Sequence, residues 1–342
     1  MKTNSPVQPK PSAAPSPRRV ALTTLALTFI ILAHPRPAAC GGGAEPPEKL
    51  VTSPPAIVLR LADNQPEGYP TVLGDREFSR LTAERSRGRI IIHVYPHEKL
   101  GSERTVIEQV QFGGIDFTRV SISPLSAFNP LLNALQMPYL YRDEAHMWKV
   151  LNGEIGRYFL HSMQARGFIG LVYYASGARS FYTSEKPILT AAGLKGMKIR
   201  VQESSLMVGL VGALGAVPVP MAYGEVYGAL QTKTIDGAEN NCPSYYSSNH
   251  YEVARYFSIN EHTRVPEMTI ASKISMERLS DSDQLLIRKA AEDSQELQIQ
   301  AWNAYEKESE RKVRAAGCII TEIPGKEEFA RAVKSLYHSE LD

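Results

Sequence analysis

Cysteine is scarce, with only Cys40, Cys242 and Cys318 in 342 residues, and there are only eight histidines. That excludes a disulfide-stapled miniprotein and a cysteine-dense zinc module. A long apolar run is missing too. The uncharged stretch Val20 to Ala33 has 14 residues, short of the about 20 that a bilayer-spanning helix needs. No G-x-S-x-G elbow, phosphate-binding P-loop, dinucleotide fingerprint, H-E-x-x-H motif or repeat of 20–50 residues occurs. Nothing therefore nominates a nucleophile with its base. An excess of basic charge is missing from the body of the chain. Residues 1–39 hold five of the 38 Lys and Arg and none of the 36 Asp and Glu, leaving 33 bases against 36 acids and a net of −3. A nucleic-acid binder keeps a basic patch or stripe, and this body has none. What remains, 43% hydrophobic and 22% charged residues, suffices for about two domains with ordinary cores.

The N-terminus reads as an export signal over 1–39. Arg18 and Arg19 precede the apolar stretch, and His34-Pro35-Arg36-Pro37 ends it. Ala38-Ala39-Cys40 followed by three glycines resembles a bacterial lipoprotein processing site, which predicts lipidation at Cys40. Such sites carry an aliphatic residue three positions before the cysteine, where Pro37 stands here. Cleavage to a soluble form and a retained anchor are the other two readings. Eleven of the 23 prolines fall before residue 56, so 40–56 reads as an extended tether. Export permits a Cys242–Cys318 disulfide, and spacing leaves the pairing open.

Strand-like and helical stretches alternate through the rest. Ile57 to Ala62, Arg89 to Tyr95, Ile115 to Val120, Phe168 to Tyr174 and Lys198 to Val201 read as strands. Residues 71–86, 103–112, Ser205 to Leu214 and Tyr223 to Gln231 read as helices. The pattern predicts parallel strands joined by helical crossovers. Ser280 with Asp283 forms a capping signal for a helix reaching about Ala316, with Leu285, Leu286, Ala290, Leu297 and Ala301 as its apolar positions. At roughly 50 Å it exceeds one small domain, so it is expected to cross two; a coiled-coil dimer is the rival. His93 and His97 are separated by Pro96 and would not share a helical face, which argues against a metal site. The pairs Asp281/Asp283 and Glu308/Glu310 read as a solvated helix face.

Two arginines stand out. Arg179 lies just past the Phe168 to Tyr174 strand, and Arg200 alternates with Ile199 and Val201 so that it faces away from them. Ligands of open α/β sheets bind beyond the strands' carboxyl ends, and an Arg fork grips a carboxylate with two parallel hydrogen bonds. A solvated or structurally paired arginine is the competing account of each.

The run from Gly215 to Thr232 followed by Ile235-Asp236-Gly237-Ala238-Glu239-Asn240-Asn241 resembles the signature of TRAP (tripartite ATP-independent periplasmic) transporter substrate-binding proteins. Gly196 to Val201, Tyr95-Pro96 with Leu100-Gly101, Gly114 to Thr118 and Leu135 to Leu140 are similar to the same family, in collinear order over about residues 57–340. The resemblance implies an α/β fold: a two-lobed periplasmic-binding-protein-like clamp with mixed sheets and a long helix spanning both lobes. Lobe I would comprise 57–176 and 264–303, and lobe II 177–263 and 304–342. It implies a periplasmic protein that hands an organic acid to a membrane permease, with no cofactor and no metal. By the same resemblance, Arg200 pairs with the substrate carboxylate, Arg179 and Asn240 line the site, and Tyr223 supplies an aromatic wall. Glu239 orients an arginine or accepts a sugar hydroxyl. Asn64 and Glu67 follow the first strand. Arg119 and Ser121 reach the same cleft, Arg119 alternatively as a partner for Glu67. His262 lines the site or is a packed loop histidine. Cys242 departs from the family, which often has a bulky aromatic there.

A dicarboxylate needs cations at both ends, whereas a sugar acid needs one clamp and several hydroxyl partners. Asn64, Glu67, Tyr223, Glu239, Asn240 and His262 are of the latter kind, and Glu67 would repel a second carboxylate. The loop Asp63 to Pro70 and the segment Ser176 to Tyr182 also resemble the hexuronate-binding branch. The expectation is a hexuronate such as glucuronate or galacturonate. The alternatives are a C4-dicarboxylate or other organic acid, a ligand-presenting lipoprotein sensor, and an exported sugar-acid enzyme.

Overall fold

The computed structural model describes residues 56–323 and 325–339. The export signal, the tether as far as residue 55 and Cys40 lie outside the described residues. The described strands are β1 (Ile57–Ala62), β2 (Ile90–Tyr95), β3 (Phe117–Ser121), β4 (Phe168–Tyr174), β5 (Ala178–Thr183), β6 (Lys198–Val201), β7 (Val217–Pro220), β8 (Gly237–Asn240), β9 (Tyr256–Arg264), β10 (Glu267–Ser272) and β11 (Ile319–Glu322). They form two sheets, ordered β2-β1-β3-β10-β4 and β11-β9-β5-β8-β6-β7. Each sheet is packed on both faces: Phe117 and Val120, of opposite parity on β3, enter different cores, as do Phe181 and Tyr182 on β5. The result is a mixed α/β, two-lobed fold.

β1 pairs parallel with β2 and β3, as the alternation predicts. The antiparallel strands are the departure. β10 runs against β3 and β4, and β5 runs against β8 and β9. β9 and β10 escape sequence recognition because polar side chains break the period; β10 is nevertheless buried at all six positions. Arg179 lies just past β4, as expected, and is itself inside the next strand, β5, which the sequence pattern did not show. Gly177, at φ +61°, turns the chain between β4 and β5. A Cβ there would stand 2.7 Å from Glu306 Oε1 and 2.9 Å from Trp302 Cζ2, so only glycine passes beneath the long helix without displacement.

That helix spans Asp281–Ala315, with the Ser280 hydroxyl accepting from Asp283 N–H. It packs on α1 (Pro70–Arg85) beside the first sheet and on the helix Cys242–Ser247 beside the second. Its expected apolar face is corrected: Leu285 and Leu297 are exposed. The buried stripe is Ile287, Ala290, Ala291, Ser294, Gln298 and Trp302. Small and polar residues serve because the neighbours come close and need hydrogen bonds. Tyr174 Oη meets Ser294 Oγ at 2.6 Å, and the Gln298 amide bonds both the N–H and the C=O of Ala175. Cys242 and Cys318 are free thiols.

Candidate functional site

One edge of the first sheet gathers the ends of β1 and β3 and the start of β10, because β10 is antiparallel and Glu267 registers opposite Ser121. Asp63 and Asn64 follow β1. Arg119, buried, grips the Asp63 carboxylate through Nε (2.9 Å) and Nη2. It also donates to Glu267 Oε2 at 2.9 Å and to Asn64 Oδ1 at 2.6 Å. Glu103 Oε1 stands 3.8 Å away. Three carboxylates around one guanidinium leave an acidic surplus. Burial raises the Glu267 carboxyl to about 7 although Arg119 opposes it, and burial also raises Glu103. Asp75, fully buried on α1, is driven well above the ordinary range by burial and by Asp63.

The second sheet repeats the device. The ends of β6 and β8 and the start of antiparallel β5 share an edge, with Ser180 registered opposite Asn240. Arg179 donates to Glu239 through Nε (2.5 Å) and Nη2 (2.9 Å), and through Nη1 to Asn240 Oδ1 at 2.9 Å. Burial alone would raise the Glu239 carboxyl; Arg179 and His262 outweigh it and hold it at about 2. Each lobe thus ends a strand on an acid–Asn pair, Asp63-Asn64 and Glu239-Asn240, bridged by an arginine. With each Oδ1 taken by an arginine, each Asn presents its amide N–H as a donor.

Arg200 is different. Ile199 and Val201 are buried in the core, as the alternation predicts, and Arg200 is buried on the opposite face. Its Nε and Nη2 both donate to Met221 O, at 3.0 and 2.7 Å. Arg119, Arg179 and Arg200 are the buried arginines among the described residues. Arg200 alone of them has no carboxylate of the described residues within 4.0 Å. Burial pulls its pKa down, with Glu239 opposing. A buried, uncompensated guanidinium is costly unless an anion arrives. Between the lobes lies a cavity of about 260 Å³, lined by Asn64, His97 and Glu98 from one side and Tyr223, Ser247 and His250 from the other. Tyr69 Oη and Ser244 Oγ, 2.8 Å apart, join the two sides.

The model of the bacterial extracellular solute-binding protein family 7 matches residues 61–341. The chain belongs to this family of TRAP solute-binding proteins. A solute-binding protein of Chromohalobacter salexigens is 37% identical over 81% of this chain and 84% of its own. A TRAP periplasmic solute-binding protein of Bradyrhizobium sp. BTAi1, crystallised with α/β-D-galacturonate, superposes with a TM-score of 0.81 at 45% identity, covering 82% of this chain and 94% of that one. Its counterpart from Roseobacter denitrificans, with bound β-D-glucuronate, gives 0.81 at 36% identity, covering 83% and 94%.

Within this TRAP solute-binding protein the sequence-nominated residues take different places. Asn64 and Tyr223 line the cavity, and Tyr223 donates its hydroxyl to Ser244 O at 3.2 Å. Arg119 partners Asp63, not Glu67. Glu67 itself is turned outward, its side chain 55% exposed and its carboxylate paired with Arg76 at 2.8 Å; the α1 arginine and bulk water hold it there. Ser121 is buried, and its hydroxyl accepts from Ser123 N–H. His262 is on β9 and not in a loop. It stacks on Phe181 at 4.5 Å with Nε2 3.4 Å from Glu239 Oε2, and burial lowers its pKa. Its contacts position Glu239. Sequence reasoning did not single out Asp63, Glu98, Glu103 or Glu267. The first three lie beside the Tyr95-Pro96 and Leu100-Gly101 motif or the first-strand loop, which was the available signal; Glu267 reaches the edge only through antiparallel pairing.

Proposed function

We propose that this protein captures a hexuronate, glucuronate or galacturonate, between its lobes and delivers it to a TRAP-type membrane permease. The observation that carries this reading is Arg200, the buried arginine without a carboxylate partner. It would take the ligand carboxylate on its free N–H groups, while Asn64 and Asn240 donate to ring or hydroxyl oxygens and Tyr223 covers a face. Arg179, Glu239 and His262 form the frame behind Asn240, and Arg119 the frame behind Asn64. Ser121 ends the strand that carries Arg119. A C4-dicarboxylate would need a second free cation, yet Arg119 and Arg179 are already committed to protein carboxylates. The hexuronates in the Bradyrhizobium and Roseobacter proteins favour the same class.

We take the lobes as 57–176 with 264–303 and 177–263 with 304–342, closing on ligand through its differential contacts with the two. Cys40 is the proposed lipid attachment point for tethering in the periplasm. Isothermal titration of ligand-stripped, refolded protein against glucuronate, galacturonate, succinate and malate tests the reading. Heat with the uronates alone is expected; tight succinate or malate binding with silent uronates would overturn it.

A further inference from the structure

Glu98 carries a feature that the uronate-binding scheme above leaves unused. It and His97 are consecutive non-glycine residues in the left-handed region, at φ +53° and +63°. Such a conformation is strained for both side chains. The surrounding backbone imposes it: His97 N–H donates to Gln65 O at 2.8 Å, Glu98 N–H to Asp63 O at 3.2 Å, and Gly101 N–H to Glu98 O at 2.9 Å. The loop after β2 is thereby stapled to the loop after β1, and the Glu98 side chain is aimed at the opposite lobe. Its carboxylate meets the backbone of Gly224, which lowers a pKa that burial raises. The approach is so close that a Cβ on Gly224 would lie 2.5 Å from Glu98 Oε2. The other oxygen, Oε1, is buried and has no hydrogen-bond partner among the described residues. Glu98 lines the interlobe cavity with Asn64 and Tyr223. The charged groups acting on it are Glu103, Glu225 and Arg200.

A buried acceptor left without a donor is destabilising, so Oε1 asks for a donor that the described residues do not supply. We infer that Glu98 is a specificity-determining residue: Oε1 accepts a hydrogen bond from a ligand hydroxyl while the same carboxylate holds Gly224 of the other lobe. The assignment rests on the proposed uronate binding. A sugar hydroxyl satisfies the acceptor, whereas a carboxylate at that end of the ligand meets like charge. The residue would thus admit a uronate, with one carboxylate, and reject the aldarate made by oxidising its other end. Because the carboxylate that meets the ligand also meets Gly224, ligand identity and lobe closure are read by one group.

The test is titration of galacturonate and galactarate into wild-type, Glu98→Gln and Gly224→Ala full-length mature protein, refolded to remove bound ligand. Glu98→Gln keeps the size and backbone and removes the charge. It should weaken galacturonate about tenfold and narrow the galacturonate-to-galactarate preference by a larger factor, since repulsion of the second carboxylate is lost. Gly224→Ala should weaken both ligands by a similar factor, because it obstructs closure without altering charge. Unchanged affinities and preference in Glu98→Gln, beside normal wild-type uronate binding, would overturn this assignment and leave the proposed function standing. Wild-type protein that binds no uronate would overturn both. Circular dichroism melts of each variant identify any that has not folded, and Glu98→Asn, which tolerates the left-handed region better, then replaces Glu98→Gln.

Discussion

Replacing Arg200 and Arg179 separately by methionine should change the stability of the ligand-free protein by very different amounts. Both arginines are about as deeply buried, so a count of buried area treats them alike. Their charges do not. Arg179 balances Glu239, and removing it leaves a carboxylate buried at 0% exposure with His262 as its remaining close ion-pair partner among the described residues. Breaking a buried pair from one side costs about 3–5 kcal/mol. In a chain of this size that is a fall in melting temperature of roughly 10 °C. Among the described residues Arg200 has only Met221 O as its hydrogen-bond partner. Its replacement by an apolar side chain removes an unneutralised charge at the expense of two hydrogen bonds to one carbonyl, so ligand-free stability should stay within about 1 kcal/mol or rise. Binding should move the other way. Losing the cation that meets a buried carboxylate costs about 3–5 kcal/mol, or roughly 10²- to 4 × 10³-fold in affinity. Urea denaturation of refolded, ligand-free protein measures the first quantity and calorimetric titration the second. If Arg200→Met destabilises the free protein as much as Arg179→Met, Arg200 is a structural residue and the free-cation argument fails.

Two of the buried acids, Glu239 and Glu267, predict a stability curve with two limbs. Glu239, held at about 2 against an ordinary 4.5, contributes stability above pH 4.5 that is lost as pH falls toward 2, about 3 kcal/mol in all. Glu267 works in reverse: raised to about 7, it takes up a proton on folding, so stability declines as pH rises from 4.5 to 7. Glu239→Gln should flatten the acid limb relative to wild type and Glu267→Gln the neutral one, read from urea midpoints across pH 2–8; parallel curves would refute the assignment. Gly177→Ala forces a Cβ onto Trp302 at positive φ and should cost roughly 2 kcal/mol or more, seen as a lower urea midpoint; an unchanged midpoint would mean that the crossing under the long helix is slack.

Local rules were enough for part of this protein. The alternation Ile199-Arg200-Val201 determined that Arg200 faces away from the core, since successive strand residues point to opposite faces. The Ser280 cap and the length after it determined a helix longer than one lobe. The strand–helix alternation determined the parallel start of the first sheet, and the collinear motifs identified the family. Partnership was decided only in three dimensions. Arg119, Arg179 and Arg200 look equally available in sequence; register places Glu267 beside Arg119 and Glu239 beside Arg179, and places no carboxylate beside Arg200. Glu67, chosen for its position after the first strand, is instead taken by Arg76 at the surface. Glu98 is aimed across the cleft by backbone hydrogen bonds to a loop more than 30 residues away. Local periodicity reports which face a side chain takes. Which charge it meets there depends on segments far apart in the chain, brought together by antiparallel strands that the sequence pattern did not reveal.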